Sequence, residues 1–381
     1  MMASNGNSYE PGKMAVSGAP AAIESRAPAT PRSSRGRALR WLGNFLKYGV
    51  SAAILTYLIV DASRDSAFTR LADEPKQWGM LLAAFLVCLV AVVITIVRWF
   101  VLVRALEIPF SLRDALRLGF LGYLFNFISL GSVGGDLFKA IFLAREQPRR
   151  RPESVASVVV DRAVGLYALF LLASITMLIF GSEVFTTPET IMLGRGTMVA
   201  TAIGTLAIVA LIIPGTTGGK LSQWLCELPR VGEVFRKLIG AVRIYRSKLG
   251  IVAVTIAMSV LSHAMFAVTI YLIARGLPGN SPGLVEHLMI VPLSMVTGVL
   301  PLPLSGLGAF EGVLDYLYRH VAVGVEVLKG QGLMVALAYR AVTIAIAVVS
   351  TVFYIGHRQE VSDMMHEGAE NRGQKSEVRG Q

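Results

Sequence analysis

Apolar residues run along this chain in blocks long enough to cross a bilayer. Blocks at about 42–60, 78–103, 154–180, 197–214, 250–274 and 331–356 each approach or exceed the roughly 20 residues that a spanning helix needs. Two further apolar segments, 115–145 and 286–318, are interrupted near their middles. The first break reads Ser129-Leu130-Gly131-Ser132-Val133-Gly134-Gly135-Asp136. The second reads Pro301-Leu302-Pro303-Leu304-Ser305-Gly306-Leu307-Gly308-Ala309-Phe310-Glu311. A bilayer offers no water to a broken backbone, so such breaks survive only where protein surrounds them or where they line a wet cavity. One break in each half of the chain points to a transport site.

The polar segments between the blocks fix an orientation. Residues 1–40 are rich in Ala, Ser, Pro, Gly and Arg and lack apolar periodicity, which predicts a disordered basic tail. The charged stretch is too long, and the 42–60 block long enough to span, for a cleaved signal peptide. Basic loops stay in the cytoplasm. Walking from a cytoplasmic tail, the loop 61–77 falls outside, and the basic flanks of 115–145 both fall inside. That segment is therefore expected to be a re-entrant hairpin. The second broken segment, flanked by sparsely charged loops, is expected to re-enter from outside. The result is an all-α integral membrane protein with about six full crossings and two re-entrant helical hairpins. The membrane domain is expected at 41–356, and the polar tail 357–381 returns to the cytoplasm. Within the basic loop 215–249, Val231, Val234, Phe235, Leu238, Val242 and Tyr245 recur at helical spacing. They predict an amphipathic cytoplasmic helix, lying either on the membrane surface or against another cytoplasmic segment.

The order span, hairpin, span occurs twice with opposite direction, first over 78–180 and then over 250–356. This is the plan of an inverted repeat, in which two halves exchange access to a central site. Ser157–Val164 and Val335–Val342 resemble each other locally, with Asp161-Arg162 opposite Tyr339-Arg340.

Composition agrees with a membrane chain. Hydrophobic residues make up 54% and charged residues 16%, and the mean hydropathy is +0.60; soluble domains lie well below such apolarity. The net charge of +11 gathers in loops between apolar blocks, without interleaved aromatic residues, and so argues against nucleic-acid binding. Cys88 falls in a span and Cys226 in a basic loop, so no disulfide is expected. Five scattered histidines give no metal-ligand spacing, and no nucleotide fingerprint is present, so no cofactor is expected.

Charge within a span is costly and calls for partners, which singles out Asp136, Asp161, Arg162, Glu311 and Arg340. Asp161 and Arg162 are neighbours that point about 100° apart on a helix, so each must reach another element. Asp136–Arg162 and Glu311–Arg340 pairs would tie each hairpin to the helix after it. Such pairs either hold the fold or yield an arginine to a phosphate, which the planar guanidinium grips bidentately. Gly134, Gly135, Gly306 and Gly308 could present helix N-terminal amides to the same anion, or serve close helix packing. Asn126, Ser132 and Ser305 add polar contacts at that depth, or each satisfies a backbone group. Lys139 either contacts a headgroup or marks the cytoplasmic edge, Arg98 is read as an interfacial anchor, and Trp41, Trp78, Trp99 and Trp224 as an aromatic belt. His263 is read as a hydrogen-bonded core residue. No nucleophile–base pair stands out, so no catalytic residue is expected.

Taken in order, Arg98-Trp99, Gly131–Asp136, Asp161-Arg162-Ala163-Val164-Gly165, Gly306–Glu311 and Tyr339-Arg340 resemble the transmembrane region of the lysylphosphatidylglycerol synthase/flippase family. The resemblance covers roughly 40–356. It implies an inner-membrane protein, with both termini cytoplasmic here, that moves a lipid between leaflets. It carries the family's Gly-Gly-Asp onto Gly134, Gly135 and Asp136, its Asp-Arg onto Asp161 and Arg162, and its Gly-x-Gly-x-x-Glu onto Gly306, Gly308 and Glu311. The family's Pro-x-Pro-Gly-Gly is replaced here by Pro301-Leu302-Pro303-Leu304-Ser305. Family synthases also carry a soluble aminoacyl-transferase domain, whereas about 25 polar residues follow the last span here. The expected partners are anionic phospholipids and a separate lipid-modifying enzyme. A lipid-modifying subunit or enzyme and a small-anion transporter remain the alternatives.

Overall fold

The computed structural model describes residues 73–128, 134–181, 185–212, 220–227, 245–299, 308–321 and 324–355, with scattered single positions elsewhere. Most of the first expected span, both terminal tails, most of the 215–249 loop and the centres of the two breaks, 129–133 and 300–307, lie outside the described residues.

Among the described residues the chain is all-helical, with no strand. Helix α1 covers Trp78–Ala105, α2 Leu112–Ile128, α3 Gly134–Glu146, α4 Arg151–Phe180 and α5 Pro188–Ile212. The short α6 covers Lys220–Glu227. Then follow α7 at Leu249–Gly276, α8 at Leu284–Met295, α9 at Ala309–Val321 and α10 at Gln331–Ile355. Helices α1, α4, α5, α7 and α10 are long and apolar enough to cross a membrane. They coincide with the second to sixth expected spans.

Helix α5 starts about nine residues earlier than expected, at Pro188. The reason is local. Thr187 Oγ1 accepts from the Thr190 amide at 3.3 Å, and Thr190 Oγ1 accepts from the Thr187 amide at 3.2 Å. Pro188 follows this reciprocal cap at the first helical position, where its missing N–H costs nothing. Helix α5 leaves Met192, Val199, Ile203 and Leu206 exposed. An apolar face of this kind suits lipid rather than water.

The arms of the two hairpins are too short to span. Helices α3 and α9, at 13 residues each, rise only about 20 Å. Helix α2 packs on α3 and α8 on α9. The first hairpin closes at a glycine crossing, where a methyl group on Gly135 would collide with the Gly122 carbonyl and the Asn126 side chain. Phe125 stacks on Phe138 across the same pair, with centroids 4.6 Å apart. Helix α8 carries Pro292 inside it and tightens into a 3₁₀ turn, Val296–Val299, before the second break.

Exchanging α1, α2, α3 and α4 with α7, α8, α9 and α10 maps the packing pattern onto itself. Helix α3 packs on α4 as α9 packs on α10; α2 packs on α10 as α8 packs on α4. Helices α1 and α7 form the seam between the halves and run antiparallel. The Gln77 amide at the start of α1 donates to the Gly276 carbonyl at the end of α7, at 2.9 Å. At the opposite ends the Tyr245 hydroxyl donates to the Leu102 carbonyl at 2.8 Å. The two halves thus lead with helices of opposite direction, as the inverted repeat requires. Two apolar cores form, one mostly from α1 to α4 with Ile346 of α10, the other mostly from α7 to α10 with Ala84 of α1 and Ala173 and Met177 of α4, and Tyr339 and Val342 pack against both.

Candidate functional site

Asp136 is the third residue of α3 and Glu311 the third of α9. Each meets an arginine on the next long helix. Arg162 on α4 donates through Nε to Asp136 Oδ2. Arg340 on α10 donates to Glu311 Oε1 through Nε at 3.1 Å and Nη2 at 2.6 Å. Both cross-element pairs expected from the sequence are present. They differ in exposure: the Arg162 side chain is 37% exposed and that of Arg340 18%, and the Glu311 side chain is fully buried.

A third ion pair was not foreseen. Arg98 Nε donates to Asp161 Oδ1 at 2.8 Å, and Arg98 Nη1 donates to Ser259 Oγ at 2.8 Å. Arg98 is 6% exposed and Trp99 fully buried, with its indole N–H 3.4 Å from Ser157 Oγ. Neither is an interfacial anchor. A signal was available: Arg98 is the one cation in 78–103, and Asp161 needed a partner beyond Arg162. A lone buried carboxylate is far costlier than a paired one. Trp78 and Trp224 are exposed, as a belt position requires; Trp41 lies outside the described residues.

These groups surround a cavity of about 350 Å³ among α1, α2, α3, α4 and α7, whose polar wall includes Arg98, Asn126, Asp136, Lys139, Asp161 and Arg162. Lys139 belongs to this wall. Its Nζ stands 3.5 Å from Asp136 Oδ1 and 5.3 Å from the centroid of the Trp99 ring. His263 also lines the cavity. Its Nε2 lies 3.1 Å from the Gly165 carbonyl, which can only accept, so Nε2 carries the proton. Its Nδ1 is buried and has no hydrogen-bond partner among the described residues.

The glycine amides are used differently from the phosphate device expected of them. The Gly135 amide donates to Asn126 Oδ1 at 2.9 Å, and the Gly308 amide donates to Glu311 Oε2 at 2.6 Å. In each case a side chain of the protein takes the place an anion would occupy. An unsatisfied amide at membrane depth costs several kcal/mol, roughly, so the chain closes these donors itself. Gly308 has a φ of 90°, a backbone conformation that excludes most side chains and lets Glu311 reach back to it. Gly134 begins α3. Ser132, Ser305 and Gly306 lie outside the described residues.

The site residues therefore fall into two clusters. Asn126, Asp136, Asp161 and Arg162 line one cavity. Gly308, Glu311 and Arg340 form a separate hydrogen-bonded group, and Arg340 is absent from that cavity's lining. Among the described residues no group of three or more His, Cys, Asp or Glu is placed to hold a metal ion. Cys88 and Cys226 are both free thiols.

Comparison with curated proteins and with solved structures returned no match. A family model described as the lysylphosphatidylglycerol synthase TM region matches residues 44–350, most of the chain. With its five membrane-length helices and paired hairpins, this multi-pass membrane protein belongs to the lysylphosphatidylglycerol synthase transmembrane-region family.

Proposed function

We propose that this protein carries a lipid with an anionic headgroup from one leaflet to the other. The observation that supports this most is the latch in the cavity wall. Asp136, at the start of a hairpin arm, is bonded to Arg162, which is open enough to be reached. A headgroup phosphate entering the cavity competes with Asp136 for that guanidinium. Losing the pair frees α3 from α4, while the acyl chains stay in the lipid. The opposed Glu311–Arg340 pair is the counterpart in the other half, and two such halves can open in turn. The basic loops favour an inner-membrane location with both termini in the cytoplasm.

A second reading is supported by the family description, which names a synthase. The chain would then serve beside a separate lipid-modifying enzyme and handle that enzyme's substrate or product.

The test is leaflet accessibility in reconstituted vesicles, with a panel of labelled lipids. Translocation of an anionic lipid faster than in protein-free vesicles is expected, with loss in Arg162→Ala and Arg340→Ala despite normal insertion. Equal rates with and without protein across the panel would reject the proposal. Wild-type rates in both variants would reject the latch.

A further inference from the structure

Exchanging α1, α2, α3 and α4 with α7, α8, α9 and α10 leaves the long helix α5 without a mate among the described residues. Helix α5 is the long helix before α7; it packs along α4 and touches α9. Its mate would precede α1, pack along α10 and touch α3. Among the described helices, α10 packs on α1, α2, α7 and α9. These are the mates of every helix that packs on α4 except α5.

The surfaces show the same gap. Aligning Arg162 with Arg340 carries Leu166, Phe170 and Leu171 of α4 onto Ile344, Val348 and Val349 of α10. The three α4 residues are half-buried, and Tyr167 beside them meets Thr205 of α5 through hydroxyls 2.8 Å apart. Their mates on α10 are 49%, 64% and 39% exposed. Aligning Asp136 with Glu311 carries Ile141 of α3 onto Tyr316 of α9. Ile141 is exposed, as is Leu137 one turn before it, whereas Tyr316 is half-buried. The strip that is covered in one half is bare in the other.

We propose that the apolar block ahead of α1 is the mate of α5, and that its residues 45–60 dock along α10 and beside α3 of the same chain. The block stands directly before α1 in the sequence, as the inverted plan requires. Its basic tail sends it outward while α10 returns inward, so the two run antiparallel. Helices α4 and α5, joined by a short loop, also run antiparallel. The small residues agree as well. Ala341 and Ala345 flank the midpoint of α10, and Gly49 and Ala53 flank the midpoint of 42–60. Small residues four apart let two membrane helices approach closely. Antiparallel docking sets Ala53 against Ala341 and Gly49 against Ala345. The loop 61–77 extends to about 55 Å, ample to lead from this strip to the start of α1. The block then flanks the first hairpin as α5 flanks the second.

Cross-linking tests the docking. A protease site in the loop 215–249 splits the full-length protein, in its membrane, into two fragments. An oxidant then reports which cysteine pairs hold them together, in a background of Cys88→Ala and Cys226→Ser. Met80→Cys with Gly276→Cys is the positive control, because a methyl group on Gly276 would lie 3.3 Å from the Met80 Cβ. Ala53→Cys with Ala341→Cys, and Gly49→Cys with Ala345→Cys, are expected to join the fragments as fully as the control. Gly49→Cys with Ala341→Cys, displaced by one helical turn, is expected to join few. A joined control with both matched pairs unjoined would overturn the proposal. So would Ala345→Cys alone linking two copies, which would assign the strip to a second copy of the chain. Single variants guard against a pair that misfolds. A nitroxide on Val348→Cys is expected to be several-fold less accessible to oxygen dissolved in the bilayer than one on Val199→Cys, on the exposed face of α5. Equal accessibility would leave the strip to lipid and overturn the docking.

Discussion

Glu311 accepts three hydrogen bonds in a fully buried position, two from Arg340 and one from the Gly308 amide. Replacing it with methionine keeps most of the volume but strands the Arg340 guanidinium, whose side chain is 18% exposed. Breaking a buried pair from one side costs about 3–5 kcal/mol. Arg340→Met leaves the opposite charge stranded and is expected to cost a similar amount. Replacing both removes both stranded charges, and well-packed apolar substitutes for a buried pair are often close to neutral. What remains is the lost cap on Gly308, about 1 kcal/mol. The double variant is thus expected to be more stable than either single one. Reversible unfolding in mixed micelles, read by tryptophan fluorescence, gives the three free-energy changes. Costs that add to within about 0.5 kcal/mol would refute the claim that this pair binds α9 to α10.

The Arg98–Asp161 pair is nearly as enclosed, with side chains 8% and 11% exposed, so Asp161→Ala is expected to cost about 3 kcal/mol or more, read by the same unfolding measurement. Asp136→Asn is expected to cost about 1 kcal/mol or less, because Arg162 is 37% exposed and its charge is partly solvated; a loss as large as that of Asp161→Ala would contradict the openable latch. Gly135→Ala drives a methyl group into the Gly122 carbonyl and is expected to cost about 1–3 kcal/mol. Gly79→Ala, which meets nothing within 4 Å, serves as the control and is expected to leave the melting temperature unchanged.

The long helices were legible because lipid imposes one length and one polarity on every crossing. Two of the ion pairs were legible for a related reason: a charge at membrane depth demands a partner, and the two breaks narrowed the choice. Arg98 and Trp99 were misjudged by the same rule. Position along a helix suggests depth, but not which neighbour a face meets. Near the end of a span, an arginine that anchors to headgroups and one that turns inward look alike. The start of α5 was missed because Thr187-Pro188-Glu189-Thr190 lies before the apolar block 197–214 and is polar, although its side chains form a helix cap. The use of the Gly135 and Gly308 amides by Asn126 and Glu311 depends on the turn geometry, which spacing alone does not reveal.

Asp315, four residues beyond Glu311, accepts from the Gly330 and Leu333 amides at 3.1 Å each and so caps α10 from the side of α9. With the Glu311–Arg340 pair, this bolts α9 to α10 at two levels. Four residues beyond Asp136 the first half has Ala140, which has no polar side chain to cap α4. The two arms are therefore fastened unequally: α9 holds α10 through Glu311 and Asp315, whereas the described side-chain link from α3 to α4 is Asp136–Arg162. In the proposed carrier, α9 with α10 is a fixed post and α3 is the door.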